Sequence, residues 1–327
     1  MTIKTVAEYT KLSVATVSRV LNDDGCVDER TREKVKNAIK ELGYVPNLLG
    51  RNLRRGNTKL VYVLLSSVVN PFFAEIVQGI EDAAGETGYR IMLGETYDNP
   101  ARYVMLSDAV RNNLADGIIL LSPARGAIEY FSDLPVAVCC ESHPSYTCMQ
   151  SDIDNEKAAA DAVKYLIGLG RKTVAFLGAN HVSGFERERG YRRALLEAGL
   201  DVNERAMMPD CVSYENGRAA TLELMERGIR PDALFTCSDI IAMGALRAFE
   251  ESGVRVPEDV AVMGFDDLIY SKMHSPALST VRQPCREMGR TAFGLLDGVL
   301  NGGATPKRTV LRHELIIRES TESGAGK

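Results

Sequence analysis

Six short apolar runs between residues 59 and 266 constrain this chain most, because they come as three related pairs. KLVYVLLS at 59–66 is echoed by KTVAFLGA at 172–179, ADGIILLS at 115–122 by PDALFTCS at 231–238, and LPVAVCCE at 134–141 by DVAVMGFD at 259–266. The offsets within the pairs are close to one another. Helix-period patterns lie between the runs, at 73–87, 102–113, 156–169, 185–198, 214–227 and 240–252. Near-continuous apolar strands alternating with helices predict parallel sheets covered on both faces. Two such units in tandem predict a two-lobed α/β body. Ligands of open parallel sheets bind beyond the C-terminal ends of the strands. Here those ends carry Ser66, Ser67, Ser122, Cys140, Glu141, Ser238, Asp239 and Asp266. Hydroxyls and carboxylates beside aromatic rings suit a polyhydroxylated ligand such as a sugar or nucleoside. Strand ends are also polar simply where a chain meets solvent, so each residue alone fits either reading.

The first 58 residues have a different character. Thr2 is a candidate N-cap for a first short helix, with Ile3, Val6, Ala7 and Thr10 at helical spacing. Lys11 and Leu12 make a corner, and Ser13 caps a second helix whose Val17, Val20 and Leu21 point inward. Val14, Ala15, Thr16, Ser18 and Arg19 are left for its outer face. That is the build of a helix-turn-helix, which lays its second helix in the major groove. Val14 and Ala15 are small enough for close approach to base edges, and Arg19 can reach guanine or a phosphate. The hydroxyls of Thr5, Thr16 and Ser18 suit phosphate oxygens. A third helix is expected from about 31 to 42, with Val35, Ala38, Ile39 and Leu42 as its apolar stripe and Gly43 ending it.

Charge supports that division. The 327 residues carry a net −5, which by itself argues against a nucleic-acid binder. Residues 1–59, however, hold twelve Lys and Arg against seven Asp and Glu, so the remainder carries ten net negative charges. A basic head on an acidic body keeps the attraction to phosphate local. The seven cysteines are scattered without a Cys-x-x-Cys pair, a pattern of reduced cytoplasmic thiols rather than a disulfide framework. There is no membrane-length apolar stretch and no leader-like segment. Catalytic and cofactor motifs are missing as well: the four His are far apart, and no phosphate-binding or dinucleotide glycine pattern occurs. The expectation is a cytoplasmic non-enzyme with no catalytic residues, no metal, no cofactor and no membrane partner.

The head resembles that of the lactose-repressor/purine-repressor family of bacterial transcription regulators. The resemblance is carried by TVAE at 5–8, SVATVSRVLN at 13–22, TREKV at 31–35 and LGYVPN at 42–47, and it continues through the body. It implies a helix-turn-helix head joined to a periplasmic-binding-protein-like body of two doubly wound parallel sheets. The head would span 1–46 and a hinge 47–58. The body would span 59–327, with one lobe at about 59–154 and 284–312 and the other at about 155–283 and 313–327. The implied function is a DNA-binding regulator, in the main a repressor, whose operator affinity is set by a small polyhydroxylated effector, sugar or nucleoside, held between the lobes. The alternative is a solute-binding protein or sensor whose cleft is its main activity. Implied partners are double-stranded operator DNA, the effector and a second copy of the chain, with the helix at 73–87 a candidate contact surface.

The resemblance also assigns residues. On the DNA side it adds Asn22 at the end of the second helix, and a hinge in which Leu53 is a minor-groove wedge with Arg51, Arg54 and Arg55 along the backbone. Gly50 stands in that hinge where Ala is more usual. On the effector side it assigns Phe72, with Phe73 second and more suited to the core. It also assigns Ser122, Asp154 rather than Asp152, Arg187 rather than Arg189, Ser238 and Asp266. Two departures, Cys140 followed by Glu141 after the fourth strand and Val212 in place of an aromatic wall residue, leave the effector's identity open.

Overall fold

The computed structural model describes residues 2–21, 26–44, 57–124 and 126–322. The chain divides into two compact units, Met1–Thr58 and Lys59–Lys327.

In the smaller unit α1 spans Ile3–Thr10, α2 Val14–Leu21 and α3 Glu29–Leu42. Lys11 takes a left-handed conformation (φ 51°) and turns the chain at once, its amide and that of Leu12 closing back onto Glu8 and Ala7 carbonyls. Ser13 Oγ then accepts the Thr16 amide at 3.0 Å and starts α2. The apolar faces meet in a small core of Val6, Ala7, Val17, Val20, Val35, Ala38 and Tyr44. Two expectations are corrected. Thr2 makes no side-chain cap. And α3 begins two residues before the expected start, because the Asp28 carboxylate accepts the Thr31 amide at 2.9 Å and caps it there.

The larger unit holds two six-stranded sheets. The first runs β2–β1–β3–β4–β5–β11, with β1 at Leu60–Leu65, β2 at Arg90–Glu95, β3 at Gly117–Leu121, β4 at Val136–Cys139, β5 at Met149–Ile153 and β11 at Arg308–Leu311. The second runs β7–β6–β8–β9–β10–β12, with β6 at Val174–Leu177, β7 at Met207–Met208, β8 at Ala233–Thr236, β9 at Ala261–Asp266, β10 at Ser279–Arg282 and β12 at Glu314–Ile316. Pairing among these strands is parallel throughout, except that β12 runs antiparallel to β10. The same strand order arises twice, which is the structural counterpart of the repeated runs. The inner strands β3, β4, β8 and β9 are buried along their whole length because helices cover both faces. The chain passes between the sheets three times: after β5, after β10 and after β11.

The covering helices are α4 (Phe72–Glu86), α5 (Pro100–Arg111), α6 (Asn155–Gly168), α7 (Val182–Glu197), α8 (Tyr214–Glu226), α9 (Asp239–Glu251) and α10 (Cys285–Leu300). Helix α10, reached after β10, returns to the first sheet and packs on α4. The two backbones touch at glycines. A Cβ on Gly79 would lie 2.0 Å from the Arg286 carbonyl oxygen, and one on Gly289 2.1 Å from that of Ile76. The Asp82–Arg286 and Glu86–Arg290 ion pairs flank this contact at 2.6 and 2.9 Å.

Candidate nucleic-acid face and interlobe cleft

Burying Val17 and Val20 turns the other side of α2 outward. Val14, Ala15 and Arg19 are exposed, and Thr16, Ser18 and Thr5 are half-buried. Ser13 is partly committed, since its hydroxyl caps the helix and lies 2.8 Å from Thr16 Oγ1. The face is therefore small side chains at its N-terminal end and a guanidinium one turn later. Of the other residues assigned to DNA, Asn22, Arg51, Leu53 and Arg54 lie outside the described residues.

In the body, Arg187 and Asp266 come together. Arg187, on α7, is 5% exposed. Its Nε donates to Asn155 Oδ1 at 3.0 Å, its Nη1 donates to the Cys237 carbonyl, and Nη1 is 3.8 Å from Asp266 Oδ1. The guanidinium lies 3.7 Å from the centre of the Phe265 ring, a cation–π contact that also holds it flat. Asp266, the last residue of β9, has φ 121°, a strained backbone for a side-chain-bearing residue. Its Oδ1 accepts Gln283 Nε2 at 2.8 Å. Burial pushes its carboxyl up to about 6, while Arg187, the Gln283 hydrogen bond and His181 pull the other way. Asp239, one strand over, is raised by burial and by the Asp266 charge. It is held in place by the Ser271 and Thr280 hydroxyls at 2.6 Å and the Leu268 amide at 2.8 Å. Beside Asp266 the seam between the lobes opens into a cavity of about 240 Å³, lined by Glu75, Leu268, Lys272, Arg282, Gln283 and Arg318 among others.

The other assigned residues are placed differently. Phe72 and Phe73 both belong to the core, 8% and 4% exposed, with ring centres 5.6 Å apart. Phe72, preferred as a ligand contact, is thus packed nearly as deeply as Phe73, because α4 begins at that residue and turns both rings inward. Asp154 is exposed and accepts the Lys157 amide at 2.8 Å as the cap of α6, so its neighbour Asn155 is the side chain that reaches Arg187. Asp152 is fully buried and paired with Arg308 at 2.7 Å, tying β5 to β11. Ser238 caps α9, accepting the Ile241 amide at 3.4 Å. Ser122 is half-buried in a left-handed turn (φ 49°) after β3. Arg189 is exposed and pairs with Glu156 at 3.0 Å. Cys140 is buried, which pushes its thiol well up, and Val212 is exposed.

Sequence reasoning did not single out His181, Ser183, Asn155 or Gln283, and it named Glu141 among the strand ends and, with Cys140, as a departure from the family pattern. Their signal is weak in one dimension. Asn155 and Gln283 stand at two of the crossings between the lobes, and only a known crossing point makes them conspicuous. The helix at 73–87, expected as a contact surface, is α4. Helix α4 spends its apolar residues Ile76, Ile80, Ala83 and Ala84 on the core. Exposed apolar side chains sit instead on the edge strand β2, at Met92 and Leu93, and on α5, at Val104 and Met105.

Among the described residues no helix is long and apolar enough to cross a membrane, and no group of His, Cys, Asp or Glu could hold a metal ion.

Two family models match the chain: "Bacterial regulatory proteins, lacI family" over residues 2–47 and "Periplasmic binding protein-like domain" over 163–321. The HTH-type transcriptional repressor CytR of Escherichia coli (strain K12) is 34% identical, with 98% of this chain and 96% of that protein covered. The HTH-type transcriptional regulator CelR of Thermobifida fusca is 36% identical, with 98% of each covered. Among solved structures, the transcriptional regulator CelR–cellobiose complex superposes with a TM-score of 0.76 at 35% identity, over 98% of this chain and 99% of that one. The lac repressor dimer bound to operator and the anti-inducer ONPF superposes at 0.89 and 27% identity, with the same coverage. With a helix-turn-helix head, a body of two doubly wound sheets and these full-length likenesses, the chain belongs to the lacI family of bacterial regulatory proteins.

Proposed function

We propose that the protein is a dimeric repressor whose hold on an operator is set by a neutral sugar or nucleoside bound between the lobes of the body. The observation that carries the DNA half is the exposed face of α2. Ser13 starts the helix, Val17 and Val20 anchor it, and Val14, Ala15 and Arg19 are left to meet base edges. Two heads in a dimer would read two half-sites of a pseudo-palindrome. The segment 47–58, with Leu53 as its wedge, would join head to body. The exposed apolar side chains on β2 and α5 supply the surface for a second copy.

The effector half rests on Arg187 and Asp266, a buried guanidinium and carboxylate facing each other at 3.8 Å with Asn155 and Gln283 orienting them. Such a pair offers donors and acceptors at fixed positions to hydroxyl groups. The CelR structure, solved with cellobiose, and the lac repressor structure, solved with operator and an anti-inducer, are relatives in which a small molecule and DNA meet the same architecture. An effector that binds one interlobe angle better than another shifts that equilibrium and with it the spacing of the two hinge segments.

Selection of bound fragments from a random DNA pool tests the first half: an inverted repeat is expected, and sequence-independent retention refutes it. Adding sugars and nucleosides to the selected site tests the second. One of them should change operator affinity in the wild type but not in Arg187→Ala.

A further inference from the structure

Arg187 is fixed by a neighbour that is itself fixed. Asn155 is the first residue of α6, where the chain enters the second lobe after β5, and it is 2% exposed. Its Oδ1 accepts Arg187 Nε at 3.0 Å, and its Nδ2 donates to Glu186 Oε2 at 3.2 Å. The two ends of this amide are not interchangeable. A guanidinium N–H only donates, so the oxygen must face Arg187 and the NH2 must face Glu186. Turned by 180°, the amide would set a donor against a donor and a lone pair against a carboxylate. Glu186 supplies the acceptor that makes the working orientation the satisfied one.

Little else accounts for Glu186. It precedes Arg187 on α7, and its side chain is 17% exposed. Its one ion pair among the described residues is long, with Arg189 Nη2 at 3.8 Å, and Arg189 is itself given to Glu156 at 3.0 Å. On the first-lobe side stands the Asp152–Arg308 pair, close enough to act on it electrostatically. Burial pushes the Glu186 carboxyl up and Asp152 adds to this, while Asn155, Arg189 and Arg308 pull the other way. A largely buried carboxylate near a second carboxylate is a poor device for stability alone. Its hydrogen bond to Asn155 gives it a use.

We propose that Glu186 is a positioning residue: through Asn155 it fixes the direction of the Arg187 guanidinium and ties it to the point where the chain crosses between the lobes. This rests on the reading of Arg187 as an effector contact. Glu186 then acts on the effector only by way of Arg187, and an effector that pulls on Arg187 pulls on the crossing.

The first arm of the test needs no ligand. In intact protein labelled with 15N-arginine, the Arg187 Nε–H signal is identified by its loss in Arg187→Lys, and its exchange with solvent is measured. Glu186→Met, which removes the acceptor, should speed that exchange at least about tenfold. Glu186→Gln keeps an acceptor oxygen and should hold it near the wild-type rate. The Arg192 Nε–H, held by Glu188 at 2.8 Å on the same helix, should not change. The proposal is overturned if Arg187 exchanges alike in Glu186→Met and wild type, if Arg192 loosens equally, or if Glu186→Gln behaves like Glu186→Met. Should Glu186→Met fail to fold, Glu186→Asp replaces it: it keeps the charge but withdraws the carboxylate by one methylene, and wild-type exchange there overturns the proposal. The second arm is calorimetric titration with glucose, ribose, cellobiose, adenosine and cytidine. A ligand that binds the wild type should bind Glu186→Met about tenfold more weakly, as for loss of a hydrogen bond to a charged group. In an Asn155→Ala background the same substitution should cost less than about twofold, because the route is already cut. Full additivity, or unchanged affinity in Glu186→Met, overturns the positioning role. If Arg187 loosens as expected but none of the five ligands binds, the effector reading fails and the positioning of Arg187 stands.

Discussion

Replacing Asp266 by Asn should make the ligand-free protein more stable, and only at neutral pH. The carboxyl is 9% exposed, and burial raises it from 3.8 to about 6 despite Arg187 and Gln283. A raised carboxyl binds its proton more readily folded than unfolded. It therefore supports the fold fully below pH 3.8 and loses that support as pH rises to about 6, after which the ionised form is a constant burden. Two pKa units correspond to about 3 kcal/mol. Asn mimics the neutral acid and can still accept from Gln283, so it escapes the burden. For a body of this size about 3 kcal/mol amounts to roughly 5 °C in Tm. Thermal unfolding of wild type and Asp266→Asn from pH 4 to 8 reads it directly. The variant should gain on the wild type above pH 6 and match it near pH 4, while losing its response to effector. A variant that melts lower than wild type at pH 7.5, or a difference independent of pH, would refute the reasoning. It would then follow that the Arg187 charge needs its partner more than the fold suffers from burying it.

Arg19→Ala should lower affinity for the selected operator by about tenfold or more while barely changing affinity for random DNA, as fluorescence anisotropy at fixed salt would show. Equal losses on both would make Arg19 a phosphate contact. Gly79→Ala should destabilise the body by about 2–4 kcal/mol, since the new methyl meets the Arg286 carbonyl at 2.0 Å and neither backbone can retreat; a melting curve identical to wild type would contradict that contact. Met105→Lys should shift the protein towards monomer in analytical ultracentrifugation by placing a charge on the exposed apolar face of α5, and an unchanged dimer would exclude that surface.

The elements themselves were readable from the chain. Apolar runs became strands at the expected places because a strand covered on both faces needs side chains apolar on both. The α2 face was equally readable, since its amphipathic pattern separates Val17 and Val20 from Val14, Ala15 and Arg19 without reference to anything distant. Arg187 and Asp266 were located from the family pattern, and the fold then put them 3.8 Å apart. Three of the assigned residues share one feature. Phe72, Asp154 and Ser238 have the right chemistry at the right strand or helix end, but a helix start consumes side chains. Asp154 and Ser238 went to amide groups of the first turn, and Phe72 went to the core. Side-chain type shows what a residue can do, and local backbone geometry has first claim on it.

Sequence alone therefore determined what is periodic or local: the helices, the strands, their repetition, and the basic head on an acidic body. Tertiary structure decided what depends on distance. It chose Asn155 over Asp154 as Arg187's companion. It set Glu141 of one lobe against Ser183 and His181 of the other, about forty residues away, and left one of its oxygens without a donor. It left exposed apolar side chains on β2 and α5. These outcomes arise where the chain crosses between two sheets. Burial and charge there come from segments remote in sequence, so no local pattern records them.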